Sequence, residues 1–402
     1  MNKKSIQEEI VMKKIFAGFV SFMLVLNLVA CSGGNATTTT QTEKNNNNDT
    51  FKIGGIGPIT GGAAVYGLAV KNAMEIAINE INANGGINGY KVEGKFEDDE
   101  HDTEKSVNAY NSLKDWGMQL LNGTVTSGPC IAVADKSNED NIFQLTPSGS
   151  AVECVLHDNV FRVCFSDPNQ GAASADYIDK HNLATKVGVI YDASDVYSTG
   201  IYEKFVQNSK GKNFEIACEE QFTADSKTDF TTQLNKIKQA GCDLVFLPFY
   251  YTEASLVLNQ ANSMDYKPTF FGCDGLDGLL TLSNFDTKLA EDVMLLTPFS
   301  ADATDALTTN FVNKYKQDYK DIPNQFAADS YDAVYIMKAC IEKANLTPQN
   351  STKEICDAMK KTMTEIKIDG LTGNGMYWTK DGEPNKDPKA VVIKNGKYQL
   401  VQ

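Results

Sequence analysis

From Phe51 onward, short apolar runs alternate with longer segments in which apolar residues recur at helical spacing. The first unit is an apolar run at 51–56, followed by a glycine-rich turn at 55–67 and a helical pattern. One face of the predicted helix carries Leu68, Ala69, Ala73, Ile76, Ala77 and Ile81. Gly85 and Gly86 predict the end of this helix, because glycine is favoured just past a helix C-terminus. The folded part of the chain therefore opens with a strand, a turn and a helix.

The same alternation continues along the chain and predicts the fold class. Further strands are expected at 91–96, 118–121, 142–145, 187–191, 243–248 and 270–272. Helices are expected at 103–115, 200–209, 228–240, 302–319 and 327–343. Strands that are separated by helical segments of about ten or more residues form parallel, doubly wound sheets. The length of the series predicts an α/β protein with two such sheets.

The turn after the first strand is a candidate edge of a binding site. Ligands of open α/β sheets lie beyond the carboxyl ends of the strands, where helix N-termini offer unpaired N–H groups to anions. We therefore expect Thr60, Gly61 and Gly62 to form part of the mouth of a site. Tyr66 follows about one turn further on as a large aromatic side chain.

The first thirty residues have the pattern of a targeting segment. Two lysines precede an apolar run at 15–28, which has the length of a signal-peptide core and is too short to span a membrane. Residues 28–32 read LVACS, which resembles the lipobox of bacterial lipoproteins. The resemblance implies a signal peptide at 1–30 and a diacylated Cys31. An ordinary secretory peptide is the alternative, and Met12 competes with Met1 as the start.

Residues 31–50 are expected to be a flexible tether. After Cys31 this segment contains one alanine and no larger apolar side chain, so it cannot contribute to a core. It would hold a folded body away from the membrane surface.

Composition narrows the classes of function. The chain has 402 residues, 42% of them apolar, which excludes a largely disordered protein and allows two domains. Its net charge of −15 argues against nucleic acid as a partner, because phosphate contact needs clustered Lys and Arg. Eight cysteines besides Cys31 show no C-x-x-C spacing, and the chain has only 3 histidines. Zinc is therefore not expected, most of these thiols should be buried, and their pairing stays open.

Two patterns suggest other chemistry, and both are incomplete. The acidic run 97–100 with His101 and Asp102 resembles a metal cluster, but such a run more often forms a solvated loop, and we expect no metal. Gly55 and Gly57 follow a strand and could open a nucleotide site, yet no G-x-G-x-x-G forms there. The sequence also lacks the G-x-S-x-G of a hydrolase. These gaps argue against a dehydrogenase or a hydrolase, so we expect neither an enzyme nor a cofactor.

Several strand-to-helix turns are rich in hydroxyl residues, glycine and tyrosine. Such turns lie at 60–66, 124–128, 146–150 and 191–200, and Tyr250, Tyr251, Glu253 and Asp274 follow later strands. Taken alone, Tyr66 and Tyr250 would be interpreted as half-buried aromatic residues, and the hydroxyl cluster at 148–150 as a plain turn.

These turns follow one another along the chain in an order that resembles a known family. From Phe51 to its end, the chain resembles the type I periplasmic binding proteins for branched-chain amino acids, the Leu/Ile/Val-binding proteins. Four motifs carry the resemblance: G-P-x-T/S-G-x-x-A-x-Y/W-G at 57–67, I-N-x-x-G-G-I-x-G at 81–89, D-x-x-x-x-Y-S-x-G at 192–200 and Y-Y-x-E at 250–253. The resemblance implies two doubly wound parallel-sheet lobes that are joined by a three-stranded hinge. It places one lobe at 51–165 and 300–375, and the other at 166–299 and 376–402.

The resemblance also implies a ligand site at eight positions. Tyr66 is implied in the side-chain pocket, and Asp274 as the partner of the ligand ammonium. Ser127 is implied as the residue that binds the ligand carboxylate. The segment Ser148, Gly149 and Ser150 is implied to end in a hydroxyl that contacts both the carboxylate and the ammonium, and the second-lobe tyrosines Tyr197 and Tyr250 complete the set. A buried zwitterion needs a partner for each charge, and these residue types supply them. Asp274 stands where many relatives have Glu, so the identity of the ligand stays open.

The implied function is that of an extracytoplasmic, lipid-anchored solute-binding protein. It would capture an amino acid, branched-chain or aliphatic, between its lobes and deliver it to an ABC importer. The implied partners are the amino acid, the permease subunits of the importer and the membrane, and we expect a monomer. A binding protein that presents a small molecule to a membrane receptor is the alternative.

Overall fold

The computed structural model describes residues 49–386 and 388–401. The predicted signal peptide, the lipobox cysteine Cys31 and nearly all of the predicted tether lie outside the described residues. Those residues all belong to one unit, which spans Asp49–Gln402. Of the helices in this part of the chain, none is long and apolar enough to cross a membrane.

The first sheet has five parallel strands in the order β2-β1-β3-β4-β5. They are β1 (Thr50–Gly57), β2 (Lys91–Asp98), β3 (Leu120–Gly123), β4 (Phe143–Thr146) and β5 (Val160–Arg162). Residues 53–57 of β1 are all buried. A strand inside a parallel sheet is covered on both faces, which explains why β1 begins the chain as an apolar run.

Helices follow the first three strands: α1 (Ala64–Ala83), α2 (Thr103–Trp116) and α3 (Ser127–Asp140). On the predicted face of α1, the residues from Ala69 to Ile81 are buried. Leu68 is the exception, since it is 43% exposed. Leu68 precedes the buried stripe by one residue, which is about 100° around a helix. The helix ends as predicted, since Gly86 adopts a positive φ and donates its N–H to the Ile81 carbonyl at 2.8 Å.

The second sheet has seven strands in the order β12-β11-β10-β9-β8-β6-β7. They are β6 (Lys186–Asp192), β7 (Glu215–Phe222), β8 (Leu244–Leu247), β9 (Thr269–Gly272), β10 (Met294–Thr297), β11 (Lys389–Lys394) and β12 (Lys397–Leu400). The intervening helices are α4 (Asp167–Lys180), α5 (Val196–Ser209), α6 (Thr231–Gln239) and α7 (Tyr251–Ser263). β6 to β10 are parallel, as predicted, whereas β11 and β12 add an antiparallel edge. Asn395 and Gly396 join this hairpin with positive φ at both residues, the geometry that an Asn-Gly turn favours.

After β10 the chain returns to the first sheet through α8 (Ala306–Tyr319), α9 (Gln325–Lys343) and α10 (Thr352–Met363). Ser330 of α9 accepts a hydrogen bond from the Asn122 amide of β3 at 2.9 Å and donates one to the Val70 carbonyl of α1 at 2.8 Å. These buried bonds fix α9 against the first sheet. The predicted fold class is confirmed, while the bounds of the two lobes stay a prediction.

The cysteines of the described residues are free thiols, and seven of the eight are buried. Cys218 is the half-buried exception. The prediction that most of these thiols are buried is therefore confirmed.

Candidate functional site

A narrow cavity lies between turns that follow strands of both sheets. Its lining consists of Tyr66, Val125, Thr126, Ser127, Ser148, Ser150, Tyr197, Tyr250, Asp274, Gly275 and Phe326. Seven of the eight predicted ligand residues are in this lining, and Gly149 is not. Asp274 is the one residue in the lining with a formally charged side chain.

Asp98, the last residue of β2 and part of the acidic run 97–100, holds the turn between β1 and α1. The Asp98 carboxylate accepts hydrogen bonds from the Ile59 N–H at 2.9 Å and from the Thr60 hydroxyl at 2.6 Å. Thr60 and Gly61 are exposed and do not line the cavity, and their place in the mouth of the site stays a prediction. Gly62 lies nearer, in the wall of an adjoining outer cavity. In the described part of the chain, no group of three or more His, Cys, Asp and Glu residues is arranged to hold a metal.

Tyr66 on α1 reaches from the first sheet to the turns of the second. Its side chain is fully buried, and its hydroxyl donates to the Gly275 carbonyl and accepts from the Tyr251 N–H at 3.3 Å. α1 can approach its own turn closely because residue 67 is glycine. A Cβ at Gly67 would lie 1.9 Å from the Pro58 carbonyl oxygen. Tyr66 therefore bridges the two halves of the site as well as lining it.

The N-terminus of α3 presents Ser127, which is 2% exposed. Its hydroxyl accepts hydrogen bonds from the Ser150 N–H at 3.3 Å and from the Ala151 N–H at 3.2 Å. The segment after β4 is thus tied to the first turn of α3. Backbone N–H groups at a helix N-terminus suit an anion such as a carboxylate.

The segment 148–150 faces the cavity with its two serines. Ser148 is 6% exposed, and its hydroxyl donates to the Val125 carbonyl at 2.6 Å. Gly149 turns away, with its N–H donating to the Thr146 hydroxyl at 2.7 Å. A Cβ at Gly149 would lie 2.7 Å from Cys130 Sγ, so a side chain there would displace the segment. Gly149 contributes to the site by letting its neighbours approach α3.

Arg162 of β5 holds the outer side of the same segment, and the sequence reading missed it. Its side chain is 0% exposed, and its guanidinium donates to the carbonyls of Gly149 at 3.1 Å, of Ser150, and of Ala151 at 2.8 Å. Glu383 lies 3.3 Å from the same guanidinium. The sequence does carry a signal for this role, because Arg162 stands alone among apolar residues in a strand. A charged side chain at such a position is rarely buried without partners.

The ammonium side of the predicted site is built from elements of the second sheet. Asp274 follows β9 and is 3% exposed, with its Oδ1 accepting from the Tyr197 hydroxyl at 2.6 Å. Its backbone N–H donates to Gln170 Oε1 at 3.1 Å, and the Gly275 N–H donates to the Tyr197 hydroxyl at 2.9 Å. Burial raises the pKa of Asp274 from 3.8 to about 6, against the opposing effect of the Tyr197 hydrogen bond. The carboxylate is therefore held rigidly and is short of a cationic partner.

Aromatic rings form the remaining wall. Tyr197 and Tyr250 are stacked with centroids 4.9 Å apart, and Tyr250 meets the Tyr66 ring edge-on at 5.6 Å. Phe326, near the start of α9, packs on Tyr66 with centroids 4.2 Å apart. Sequence reading missed Phe326, because nothing near it in the chain indicates that α9 returns to this site. These rings provide an apolar surface for a ligand side chain.

An outer cavity of about 150 Å³ shares Tyr250 with the central one. His101 belongs to its wall, shares a 2.9 Å hydrogen bond with the Thr126 hydroxyl and meets the Tyr250 ring edge-on at 5.4 Å. Burial, followed by the charge of Lys227, lowers the pKa of His101. The neutral imidazole thus packs between the two halves of the site.

Comparison with known proteins identifies relatives of this chain. The profile of the family described as periplasmic binding protein matches residues 50–397. "Leu/Ile/Val-binding protein homolog 3" of Brucella melitensis is 31% identical over 309 residues, which cover 74% of this chain and 80% of that protein. The leucine-, isoleucine-, valine-, threonine- and alanine-binding protein of Pseudomonas aeruginosa is 27% identical over 328 residues, 80% of this chain and 85% of that protein.

Solved structures agree with this grouping. The substrate-binding protein of a branched-chain amino acid transporter from Streptococcus pneumoniae, in complex with isoleucine, superposes with a TM-score of 0.79. It is 27% identical in sequence, and the match covers 88% of this chain and 99% of that one. A leucine-binding protein of Thermotoga maritima, 24% identical with a TM-score of 0.77, shares the fold.

Proposed function

Because the chain belongs to the periplasmic binding protein family, among the homologues of the Leu/Ile/Val-binding proteins, we propose that it captures an aliphatic amino acid between its two lobes. The family is extracytoplasmic, and its members are solute-binding proteins and not enzymes. One observation carries the proposal: hydroxyl groups, a helix N-terminus, a buried carboxylate and an aromatic wall converge on one cavity.

Each part of a zwitterion has a matching partner in this cavity. The ligand carboxylate would lie at the N-terminus of α3 against Ser127, Ser148 and Ser150. The ammonium would pair with Asp274, which has no cation among its hydrogen-bond partners. The side chain would pack against the rings of Tyr66, Tyr250 and Phe326. An aliphatic ligand is supported by the Pseudomonas relative, which binds leucine, isoleucine, valine, threonine and alanine.

Calorimetric titration with each of the twenty amino acids tests the proposal. We expect the tightest binding for an aliphatic amino acid and none for the corresponding amine or acid alone, because each leaves one end of the site unpaired. Failure to bind any amino acid would overturn the assignment.

Closure is the motion by which such a site would act. Tyr66 from the first sheet bonds to Gly275 and Tyr251 from the second, so the contacts around the cavity already cross between the lobes. We propose that the chain passes between the two lobes three times, near 165–166, 298–299 and 377–378, and that these crossings form the hinge. A ligand that contacts both lobes would stabilise the closed form.

Small-angle scattering should therefore give a smaller radius of gyration with saturating ligand than without it. Tyr66→Phe is an informative variant, because it keeps the ring and removes the hydroxyl that bridges the lobes. We expect Tyr66→Phe to be more open on average without ligand. A radius of gyration that is the same with every tight ligand and without one would contradict a hinge.

Delivery to an ABC importer from a lipid anchor completes the proposal. The lipobox supports the anchor, because two acyl chains hold a protein stably at a membrane where one would be marginal. Cys31→Ala should release the protein from the membrane fraction into the soluble fraction and leave its ligand affinity unchanged. Cys218→Ala, which removes a half-buried thiol of the folded part, is the control and should stay membrane-bound. If Cys31→Ala remains in the membrane fraction, another element provides the anchor.

A further inference from the structure

A further cavity lies where the chain returns from β10 to the first sheet. Its volume is about 320 Å³, within the range of sites that bind small molecules. Segments 277–281, 297–302 and 321–324 form its walls together with the hairpin of β11 and β12. None of the described residues in these walls lines the central or the outer cavity. We call it the Asp277 cavity, because Asp277 is the one charged residue of its described lining that is buried.

The carboxyl group of Asp277 lacks a counter-ion. Asp277 is 5% exposed, and its Oδ2 accepts a hydrogen bond from the Gln325 N–H at 2.8 Å. From the part of the chain that the structure describes, Oδ1 accepts no hydrogen bond, and no cation forms an ion pair with Asp277. A buried carboxylate without a cation is costly, so its place in the wall of a cavity favours a cation as the occupant.

The groups around Asp277 make the deficit of positive charge larger. Burial raises the pKa of Asp277 from 3.8 to about 7, against the opposing effect of the Gln325 hydrogen bond. The nearby carboxyl groups of Asp274 and Asp329 raise it further. The buried cation Lys386 is already paired with Asp329 at 3.0 Å. A cation beside Asp277 would therefore be attracted by more than one carboxyl group.

The other charged side chains of the cavity lie at its exposed rim. They are Asp302, Asp321, Lys316 and Lys397, two of each sign. Exposed charges are screened by water and salt, and equal numbers of both signs leave little net field. The rim therefore neither supplies the missing partner of Asp277 nor excludes a cation.

The remaining walls suit a molecule with an apolar body. Phe299 and Val391 are 5% and 0% exposed, and Ile322 is 53% exposed beside them. A ligand that packs against Ile322 would cover an apolar side chain that otherwise faces water. A hard metal ion is a poor match, because it needs several converging oxygens and Asp277 supplies the only buried carboxylate of the described lining.

We propose that the Asp277 cavity is a second ligand site, which binds a small organic cation with a primary ammonium group and an apolar body. The ammonium would donate a charge-assisted hydrogen bond to Oδ1 of Asp277. The apolar body would pack against Phe299 and Ile322. This site is separate from the central cavity, and the inference does not depend on the proposed function, because it concerns a molecule that lacks a carboxylate.

Benzylamine is the probe that tests the site, and its affinity for the full chain is measured by calorimetry. It carries a primary ammonium group on a compact apolar ring. Benzyl alcohol has nearly the same shape without the charge, and we expect it to bind about ten- to a hundredfold more weakly, the range of a hydrogen bond to a charged group. No binding of benzylamine, or equal binding of benzyl alcohol, would overturn the inference.

Two substitutions place the probe in this cavity. Asp277→Asn keeps an oxygen that can accept from the Gln325 N–H and removes the charge, so it should lower the affinity for benzylamine by about ten- to a hundredfold. Ala301→Phe leaves Asp277 in place and fills part of the cavity, and it should lower the affinity by at least about tenfold. Thermal unfolding verifies that both variants are folded at the temperature of titration. Wild-type affinity in either folded variant would contradict the site.

Asp321→Asn is the matched control for charge. It removes an exposed carboxylate at the rim of the same cavity, and the affinity for benzylamine should stay within about threefold of wild type. An effect as large as that of Asp277→Asn would mean that benzylamine responds to the general field of an acidic protein, which would also overturn the inference.

Asp274 is the competing carboxylate, because it lines the central cavity and lies three residues before Asp277. Asp274→Ala should change the affinity for benzylamine by less than about threefold, and saturating leucine should not displace the probe. If Asp274→Ala abolishes binding of benzylamine while Asp277→Asn retains it, the probe binds in the central cavity and no second site exists. A wild type that binds benzylamine at Asp277 but no amino acid would overturn the proposed function and leave this inference standing.

Discussion

Asp274→Ala is expected to reduce affinity for an α-amino acid by roughly 30- to 5,000-fold. The substitution leaves the ligand ammonium buried without its charged partner, and truncating one member of such a pair costs about 2–5 kcal/mol, at about 1.4 kcal/mol for each tenfold change. Calorimetric titration with leucine and with alanine measures the loss. Both ligands should be affected alike, since both carry the same ammonium.

Asp274→Glu is the control for this prediction, because it keeps the charge and lengthens the side chain by one methylene. It should bind far more tightly than Asp274→Ala. The free energy of unfolding without ligand should change by no more than about 1 kcal/mol in Asp274→Ala, since the lost group is a carboxyl that burial already disfavours. Wild-type affinity in Asp274→Ala would mean that the ammonium site is elsewhere.

The pH dependence of binding follows from the same carboxyl group. Burial raises the pKa of Asp274 from 3.8 to about 6, so the group is protonated below about pH 6 in the unliganded fold. Only the ionised form can pair with an ammonium, and affinity should therefore fall as the pH drops through that value. The sign is opposite for stability: a pKa that is higher in the folded state lowers the free energy of unfolding as pH rises from 3.8 to about 6.

The periodic parts of this fold could be predicted from the sequence. Short apolar strands and helical patterns alternate over the whole folded region, and such local patterns specify parallel, doubly wound sheets. Leu68 is exposed although it was predicted on the apolar face of α1, because it lies at the edge of that face, where a shift of one residue moves a side chain from the core into solvent. The hairpin at 389–400 also carries a local signal, the Asn395-Gly396 turn.

The site could be predicted only where residues belong to turns that match the pattern of the family. Tyr66, Ser127 and Tyr250 lie in turns whose pattern resembles a family, and the structure brings them to one cavity, although their roles with a ligand stay predictions. Phe326 and Arg162 belong to no motif. Their partners lie far away in the chain, as when the Trp378 indole N–H donates to the Arg162 carbonyl across 216 residues. Contacts at that separation are set by the packing of whole elements, and no local pattern records them.

Arg162→Met is expected to have the largest effect on stability. The substitution removes three hydrogen bonds from a charged donor, to the carbonyls of Gly149, Ser150 and Ala151. The Ser150 and Ala151 carbonyls keep backbone N–H donors, from Asp167 and Cys154. Each hydrogen bond to a charged group contributes about 1.5–3 kcal/mol, so the loss of all three predicts a decrease of at least about 3 kcal/mol in the free energy of unfolding. Urea denaturation followed by tryptophan fluorescence measures this, since Trp378 is buried against Arg162 and reports on its surroundings.

Two controls identify the cause of that loss. Arg162→Lys keeps the charge but has a single nitrogen in place of the planar fork, so it cannot reach all three carbonyls and should recover only part of the stability. Lys360→Met removes a cation that is paired with Asp158 at 3.2 Å on the surface, and it should change the free energy of unfolding by less than about 1 kcal/mol. Because the same three carbonyls position Ser148 and Ser150, Arg162→Met should also weaken ligand binding under conditions where the variant is fully folded. If Arg162→Met unfolds at the same urea concentration as the wild type, the segment 149–151 does not depend on this arginine. Its geometry must then be fixed by its other hydrogen bonds, to Ser127 and Thr146 and to the backbone N–H groups of Asp167 and Cys154.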